Sequence, residues 1–351
     1  MHTSGNFFLF FVIIPIILCP SLHEICAQEP LSAFSLGGSI EIEASYSDID
    51  PNLNTSILDM SLATVELTFT RSMGRYTSVH LAFLKEDDSV NKNFLVDEAA
   101  VTIVDPFFYL PLYFTIGKTY LPFGKFTSSF ISDPYTKRIG EIKEAGGVMV
   151  YSYGRINLGL SAFKENELDL IESEERIADY IININIERSD FSPFAFGLSY
   201  LSHISDTNGL QHYFKDKTLW NHIGGINIYI KAEQGPFSFN FEFVGALDFI
   251  NYTDHTTLMM TQIEPYALNS ELGFLGLADR FLSAIKFEHC KYAKDLLLIK
   301  EYRYGAILSY ALFEKTFLCL EYLYEKRSFT DSLVDDDHIT HKVTAQLSLT
   351  F

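Results

Sequence analysis

The amino-acid sequence predicts an all-β fold: a transmembrane antiparallel β-barrel of about 16 strands, with short periplasmic turns and long external loops. Three observations predict it. Period-two segments run from residue 38 to the carboxyl terminus. No apolar run after residue 27 reaches the roughly 20 residues that a spanning helix needs. The connections between segments alternate between short and long.

The amino terminus is expected to be processed. Phe7 to Leu18 is apolar apart from Pro15 and is followed by small and polar residues up to Ala27. Its length suits the core of a signal peptide, so residues 1–27 are expected to be removed and 28–351 to form one barrel domain. Cys19 and Cys26 leave with the leader. Cys290 and Cys319 fall on the thirteenth and fifteenth strands, about 9.6 Å apart at two strand spacings, too far for a disulfide. Two free thiols are expected.

The strand cores read from the sequence are 38–47, 60–70, 76–85, 94–104, 110–118, 144–153, 155–163 and 179–187, then 194–201, 221–231, 236–246, 264–274, 280–288, 302–311, 316–325 and 339–351. In a strand, successive side chains point to opposite faces. Ile40/Ile42/Ala44/Tyr46, Val65/Leu67/Phe69, Ile182/Ile184/Ile186 and Phe237/Phe239/Phe241/Phe243 mark one face; Glu41/Glu43, Glu66/Thr68, Asn183/Asn185/Glu187 and Ser238/Asn240/Glu242 mark the other. Apolar outward and polar inward is the pattern of a membrane barrel with a watery lumen. Pro265 makes the twelfth segment the least regular. The last strand alternates from Ile339 to Phe351, and a closing strand that ends in Phe reads as a barrel assembly signal. A free edge there would invite aggregation; closure removes it.

Connections after even-numbered strands are short: Arg71–Arg75, Asp105–Tyr109, Gly154, Arg188–Pro193, Ala232–Gly235, Leu275–Asp279 and Leu312–Lys315. Those after most odd-numbered strands are long and polar: 86–93, 119–143, 164–178, 202–220, 247–263, 289–301 and 326–338. This rhythm places both termini in the periplasm. No separate plug or linker is read. Aromatic residues make up 15% of the chain, nearly all Phe and Tyr, which suits interfacial girdles. The formal charge of −19 removes nucleic acid from the candidate partners. Inward positions include Glu41, Glu43, Glu66, Glu98, Glu242 and Glu288, with Lys231, Lys286, Arg303 and Lys342 as a facing ladder.

One loop carries a motif. The fifth strand runs into Gly117-Lys118-Thr119-Tyr120-Leu121-Pro122-Phe123-Gly124-Lys125-Phe126, followed by Ile131-Ser132-Asp133-Pro134. This stretch resembles the G-x-x-Y-x-P-F-G-x-F … I-S-D-P sequence of the LbtU-type siderophore porins, relatives of the phosphate-selective O/P porins. Asp97-Glu98-Ala99 before the loop, Gly140-Glu141 after it and Phe351 fit the same pattern. Members often carry a coiled-coil segment ahead of the barrel; here the first strand starts about ten residues after the leader. The resemblance implies a plug-free channel that passes ferric siderophores across the outer membrane without TonB energy.

Independently of the resemblance, residues 118–143 hold five basic side chains, Lys118, Lys125, Lys137, Arg138 and Lys143, against Asp133 and Glu141. Loop 164–178 is acidic. Since fixed charge sets pore selectivity, 119–143 is expected to fold inward as a constriction of positive potential, with Glu98, Lys286 and Arg303 along the solute path. No cofactor and no metal site is read: His338 and His341 are three apart in extended chain and point to opposite faces, and His289-Cys290 lacks further ligands. No G-x-S-x-G elbow or H-E-x-x-H helix is present, so an enzyme is not expected. Expected partners are outer-membrane lipid and lipopolysaccharide, the β-barrel assembly machinery, a small polar solute such as a ferric siderophore, and two further copies in a homotrimer. The alternatives are a general or phosphate/anion-selective porin, and a surface-interaction barrel whose acidic loops bind lipopolysaccharide or a host partner.

Overall fold

A computed structural model describes residues 34–50, 55–86, 94–105, 110–164, 179–189, 192–255, 259–276, 279–291, 300–327 and 338–351. The expected leader 1–27 and the acidic loop at 165–178 lie outside the described residues. So do most of 86–93 and 326–338, including the Asp335–Asp337 run.

The first strands are β1 (Phe34–Asp50), β2 (Thr55–Met73), β3 (Thr77–Glu86), β4 (Leu95–Val104), β5 (Leu112–Tyr120), β6 (Lys143–Tyr153), β7 (Ile156–Phe163), β8 (Asp179–Ile186) and β9 (Phe194–Leu201). They continue as β10 (Lys217–Leu219), β11 (Gly225–Gln234), β12 (Phe237–Ala246), β13 (Ile250–Asp254), β14 (Met260–Ile263) and β15 (Tyr266–Gly276). The chain finishes with β16 (Phe281–Lys291), β17 (Tyr302–Phe313), β18 (Thr316–Arg327) and β19 (His338–Thr350). Sixteen of these close into one antiparallel barrel; β10, β13 and β14 form a small separate sheet. Each of the sixteen segments read from period-two alternation is a barrel strand.

The faces follow the alternation. Ile182 and Phe237 point out and are exposed, while Asn183, Asn227 and Glu242 point in and are buried. Tight turns join β2 to β3, β6 to β7, β11 to β12 and β17 to β18, and Gly154 (φ 61°) and Gly235 (φ 57°) occupy the left-handed conformation that two of those turns need. Closure joins β1 to β19 in register from Ser39↔Thr350 to Asp48↔His341. The Phe351 amide donates to the Gly38 carbonyl at 3.1 Å and the Gly38 amide returns a bond at 3.3 Å. Cys290 and Cys319 are both unbridged, with strand β17 between theirs.

Three expectations need correction. The tenth segment starts at Gly225 rather than Asn221: the Ile223 and Gly224 carbonyls still accept from Ile204 and Leu247, but the Asn221 side chain bonds Phe249 and Asn251 instead. The twelfth starts at Tyr266, directly after Pro265, which has no amide to donate. The lumen is also less polar than expected. The long connections contain α1 (Tyr135–Gly140), α2 (Asn208–Phe214) and a 3-10 turn (Ile204–Asp206), none of which period-two reading finds. Leu121, Phe123, Tyr135, Ile139 and Ile142 pack with Leu210 and Phe214 against the inward-facing Phe163, Ile181, Leu201, Val244, Ala267 and Cys290. An apolar core therefore sits inside the barrel, along one side.

Candidate functional site

The loop after β5 leaves the wall at Leu121, whose amide donates to the Ile142 carbonyl at 2.9 Å, so its two ends are clasped. Between them the chain crosses the inner wall from carboxylate to carboxylate. Glu242 on β12 accepts from the amides of Lys125 and Phe126, both at 2.9 Å. Glu271 on β15 accepts from the Ser128 hydroxyl at 2.6 Å and the Ser129 amide at 3.0 Å. Glu321 on β18 takes the Ser132 amide and hydroxyl at 3.1 and 3.2 Å. Glu288 on β16 takes the Tyr135 amide at 2.6 Å. A carboxylate that accepts several donors tolerates burial; one left alone does not.

The expected basic ladder takes part in the same seat. Lys286 Nζ lies 3.1 Å from Glu288 and donates to Ser132 Oγ at 2.7 Å, with the Phe130 ring 4.4 Å away. Arg303 bonds Glu288 (3.1 Å), Glu325 (2.8 Å) and the Asp133 carbonyl (3.1 Å), and its guanidinium lies over the Tyr135 ring. These cations anchor the loop from the wall side.

The motif residues have steric reasons. A Cβ at Gly117, whose φ is 143°, would fall 2.1 Å from the Ala99 carbonyl oxygen on the neighbouring strand. The Phe126 ring is wedged between Gly124 and Gly140, where an added Cβ would approach it to 2.3 and 2.8 Å. Phe126 itself holds a left-handed φ of 49°. Phe123 is fully buried in the inner core, and Pro134 ends the extended stretch, its carbonyl accepting from Lys137 and Arg138 at the start of α1.

The five basic residues of the loop do not converge. Lys118 and Tyr120 lie on the face of β5 opposite Thr119, whose hydroxyl donates to the inward Glu98 at 2.7 Å. Lys118 donates to the Val96 carbonyl, and Lys143 pairs with Asp97 beside Tyr120 on that same outer face. Lys125 pairs with Glu187 at 3.5 Å. Lys137 pairs with Asp133 at 2.8 Å and Glu141 at 3.8 Å. Burial pulls the Lys137 ammonium down, but Asp133 and Glu141 outweigh it and hold its pKa above the ordinary value. Burial also raises the Glu141 carboxyl from its ordinary value, only partly offset by Lys137. Arg138 is exposed near Asn208 and Gly209 at the edge of an open cavity.

Sequence reading missed Glu271 and Glu321 as loop anchors, although both sit at inward positions that alternation marks. It also missed a buried group where β8 begins and β9 ends, at which Asp179, His203 and Asp206 bring ligand atoms within 4.8 Å of one another. Their only sequence signal is the His203-x-x-Asp206 spacing.

A closed antiparallel barrel of sixteen strands, with the loop after β5 folded against the inner wall, defines an outer-membrane porin fold. The solved structures agree. The anion-selective porin from Comamonas acidovorans superposes with a TM-score of 0.65 at 12% identity, over 92% of this chain and 100% of that one. The outer membrane channel DcaP of Acinetobacter baumannii gives 0.62 at 13%, over 91% and 97%. Salmonella typhi OmpF, solved with daunomycin, gives 0.60 at 9%, over 91% and 97%. At these identities the likeness is one of fold. No protein-family model matches the chain. A curated relative, the UPF0422 protein of Coxiella burnetii, is 21% identical over 61% of this chain, and the match spans 48%, about half, of that relative's length.

Proposed function

We propose that the chain forms an outer-membrane channel through which small polar solutes diffuse without energy input. The observation that carries this reading is the seating of residues 121–142 on Glu242, Glu271, Glu288 and Glu321, which narrows the bore from one side. The opposite wall keeps its acidic side chains: Glu41 and Glu43 share the Gln346 amide, Glu41 also meets Thr64 and Ser348, and Glu66 stands beside them. Since Lys125, Lys137 and Lys143 are paired with carboxylates, the net fixed charge along the open side is negative. The channel therefore prefers cations. Planar-bilayer recording tests both halves of the reading. Discrete conductance steps are expected, with a cation-selective reversal potential in a salt gradient that shifts further for Lys125→Glu plus Lys137→Glu. A silent bilayer would end the channel reading, and anion selectivity of the native protein would end the charge assignment.

The likeness of residues 117–134 to the siderophore porins supports a finer reading, in which the solute is a ferric siderophore or similar chelate. Under iron limitation a deletion strain is expected to grow poorly on that iron source, and equal growth would leave general permeation. Insertion by the β-barrel machinery through Phe351, lipopolysaccharide at the external rim and a homotrimer belong to the same proposal.

A further inference from the structure

We infer that Asp179, His203 and Asp206 form a binding site for one divalent transition-metal ion, of the zinc class, where β8 begins and β9 ends. The inference is independent of the channel reading. Asp179 opens β8, while His203 and Asp206 flank and close the 3-10 turn that follows β9, so two neighbouring strands and one turn converge. All three side chains are at least nine-tenths buried, with exposures of 2%, 5% and 3%. His203 Nδ1 lies 2.5 Å from Asp179 Oδ1 and 4.0 Å from Asp206 Oδ2. Four ligands around tetrahedral zinc at about 2.1 Å stand about 3.4 Å apart, so the donors need only small shifts to share an ion.

Two further observations point to a ligand. Asp179 Oδ2 is buried and accepts no hydrogen bond, although Oδ1 of the same group takes the Ser202 hydroxyl at 2.8 Å. An acceptor oxygen held dry beside a second carboxylate is costly, and a divalent ion carries the charge that balances both carboxylates. A second imidazole also adjoins the group: the His222 ring lies 4.0 Å from that of His203, on the less buried side. Two carboxylates with imidazole suit zinc and its neighbours better than calcium, which takes six to eight oxygens. The Ser202 hydroxyl orients Asp179 from behind, as outer partners of metal ligands do. The bound ion would tie the 3-10 turn and α2, which donates from Asn208 to the Glu141 carbonyl, to the strand wall.

The test uses the purified, chelator-stripped barrel in detergent, dialysed against zinc chloride, with bound metal counted by mass spectrometry. One zinc per chain is expected in the native protein, and Asp179→Asn or His203→Gln should weaken binding by more than about tenfold. His338→Ala with His341→Ala should keep it. Zinc well below one per chain, native affinity in both site variants, or retention of calcium instead of zinc would overturn the proposal. If the site variants fail to form the barrel, X-ray absorption of the zinc-loaded native protein decides. Imidazole scattering is expected, and a shell of oxygens alone would overturn the site.

Discussion

The two sides of the inner wall obey different rules although they belong to one closed sheet. Between β12 and β18, Glu242, Glu271, Glu288 and Glu321 each receive donors from the loop, and nearby inward positions such as Val244, Ala267 and Cys290 are apolar and buried. From β1 to β5, and at β19, inward side chains bond to one another: Thr70 with His80, Thr102 with Thr115, Thr119 with Glu98, Gln346 with Glu43. An inward Glu is thus a socket on one side and a solute-facing charge on the other. The sheet does not distinguish them; what packs over it does.

Substitutions on the two sides should therefore differ in kind. The largest effect is expected at Glu288→Ala, which strands buried Lys286, leaves Arg303 with Glu325 as its one paired carboxylate and frees the Tyr135 amide. Breaking a buried ion pair from one side costs about 3–5 kcal/mol. Denaturant unfolding should show that loss, and the channel should open wider. Next comes Val343→Lys on the lipid face, about 2–4 kcal/mol, read as failed membrane assembly, whereas Lys342→Glu beside it is tolerated. Equal tolerance of both would mean that the faces are reversed. Glu242→Gln keeps the shape but weakens two charge-assisted bonds to Lys125 and Phe126, about 1–3 kcal/mol, and should make single-channel current noisier as the loop loosens. Smallest in stability, within about 0.5 kcal/mol, is Glu41→Gln plus Glu43→Gln on the bare side. That pair should instead move the reversal potential towards anions, and a stability loss as large as that of Glu288→Ala would erase the contrast between the sides.

The barrel was legible because period-two alternation reports directly on a wall with lipid on one face, and Phe237 to Phe243 could not be read otherwise. The loop's seat was only half legible. Glu242 and Glu288 stood out as inward charges, but alternation says which face a side chain takes, not whether water or a folded loop meets it there. The inner core was hidden for the same reason: Ile181 and Leu201 sit at inward positions that a water-filled lumen would assign to polar residues. Asp179, His203 and Asp206 were illegible as a group, because their proximity comes from the pairing of β8 with β9 and a turn that has no period.

The seam between β1 and β19 has a kinetic consequence. Its partners, such as Glu43 and Gln346, are 303 residues apart along the chain, whereas every other neighbouring pair of barrel strands is joined by one short stretch of chain that holds no further barrel strand. Bringing such distant segments together carries the greatest loss of chain freedom, so the zipper of hairpins should be nearly complete before this last gap shuts. Until then two unsatisfied strand edges face each other. The final, slowest event in making this pore is the meeting of its two ends.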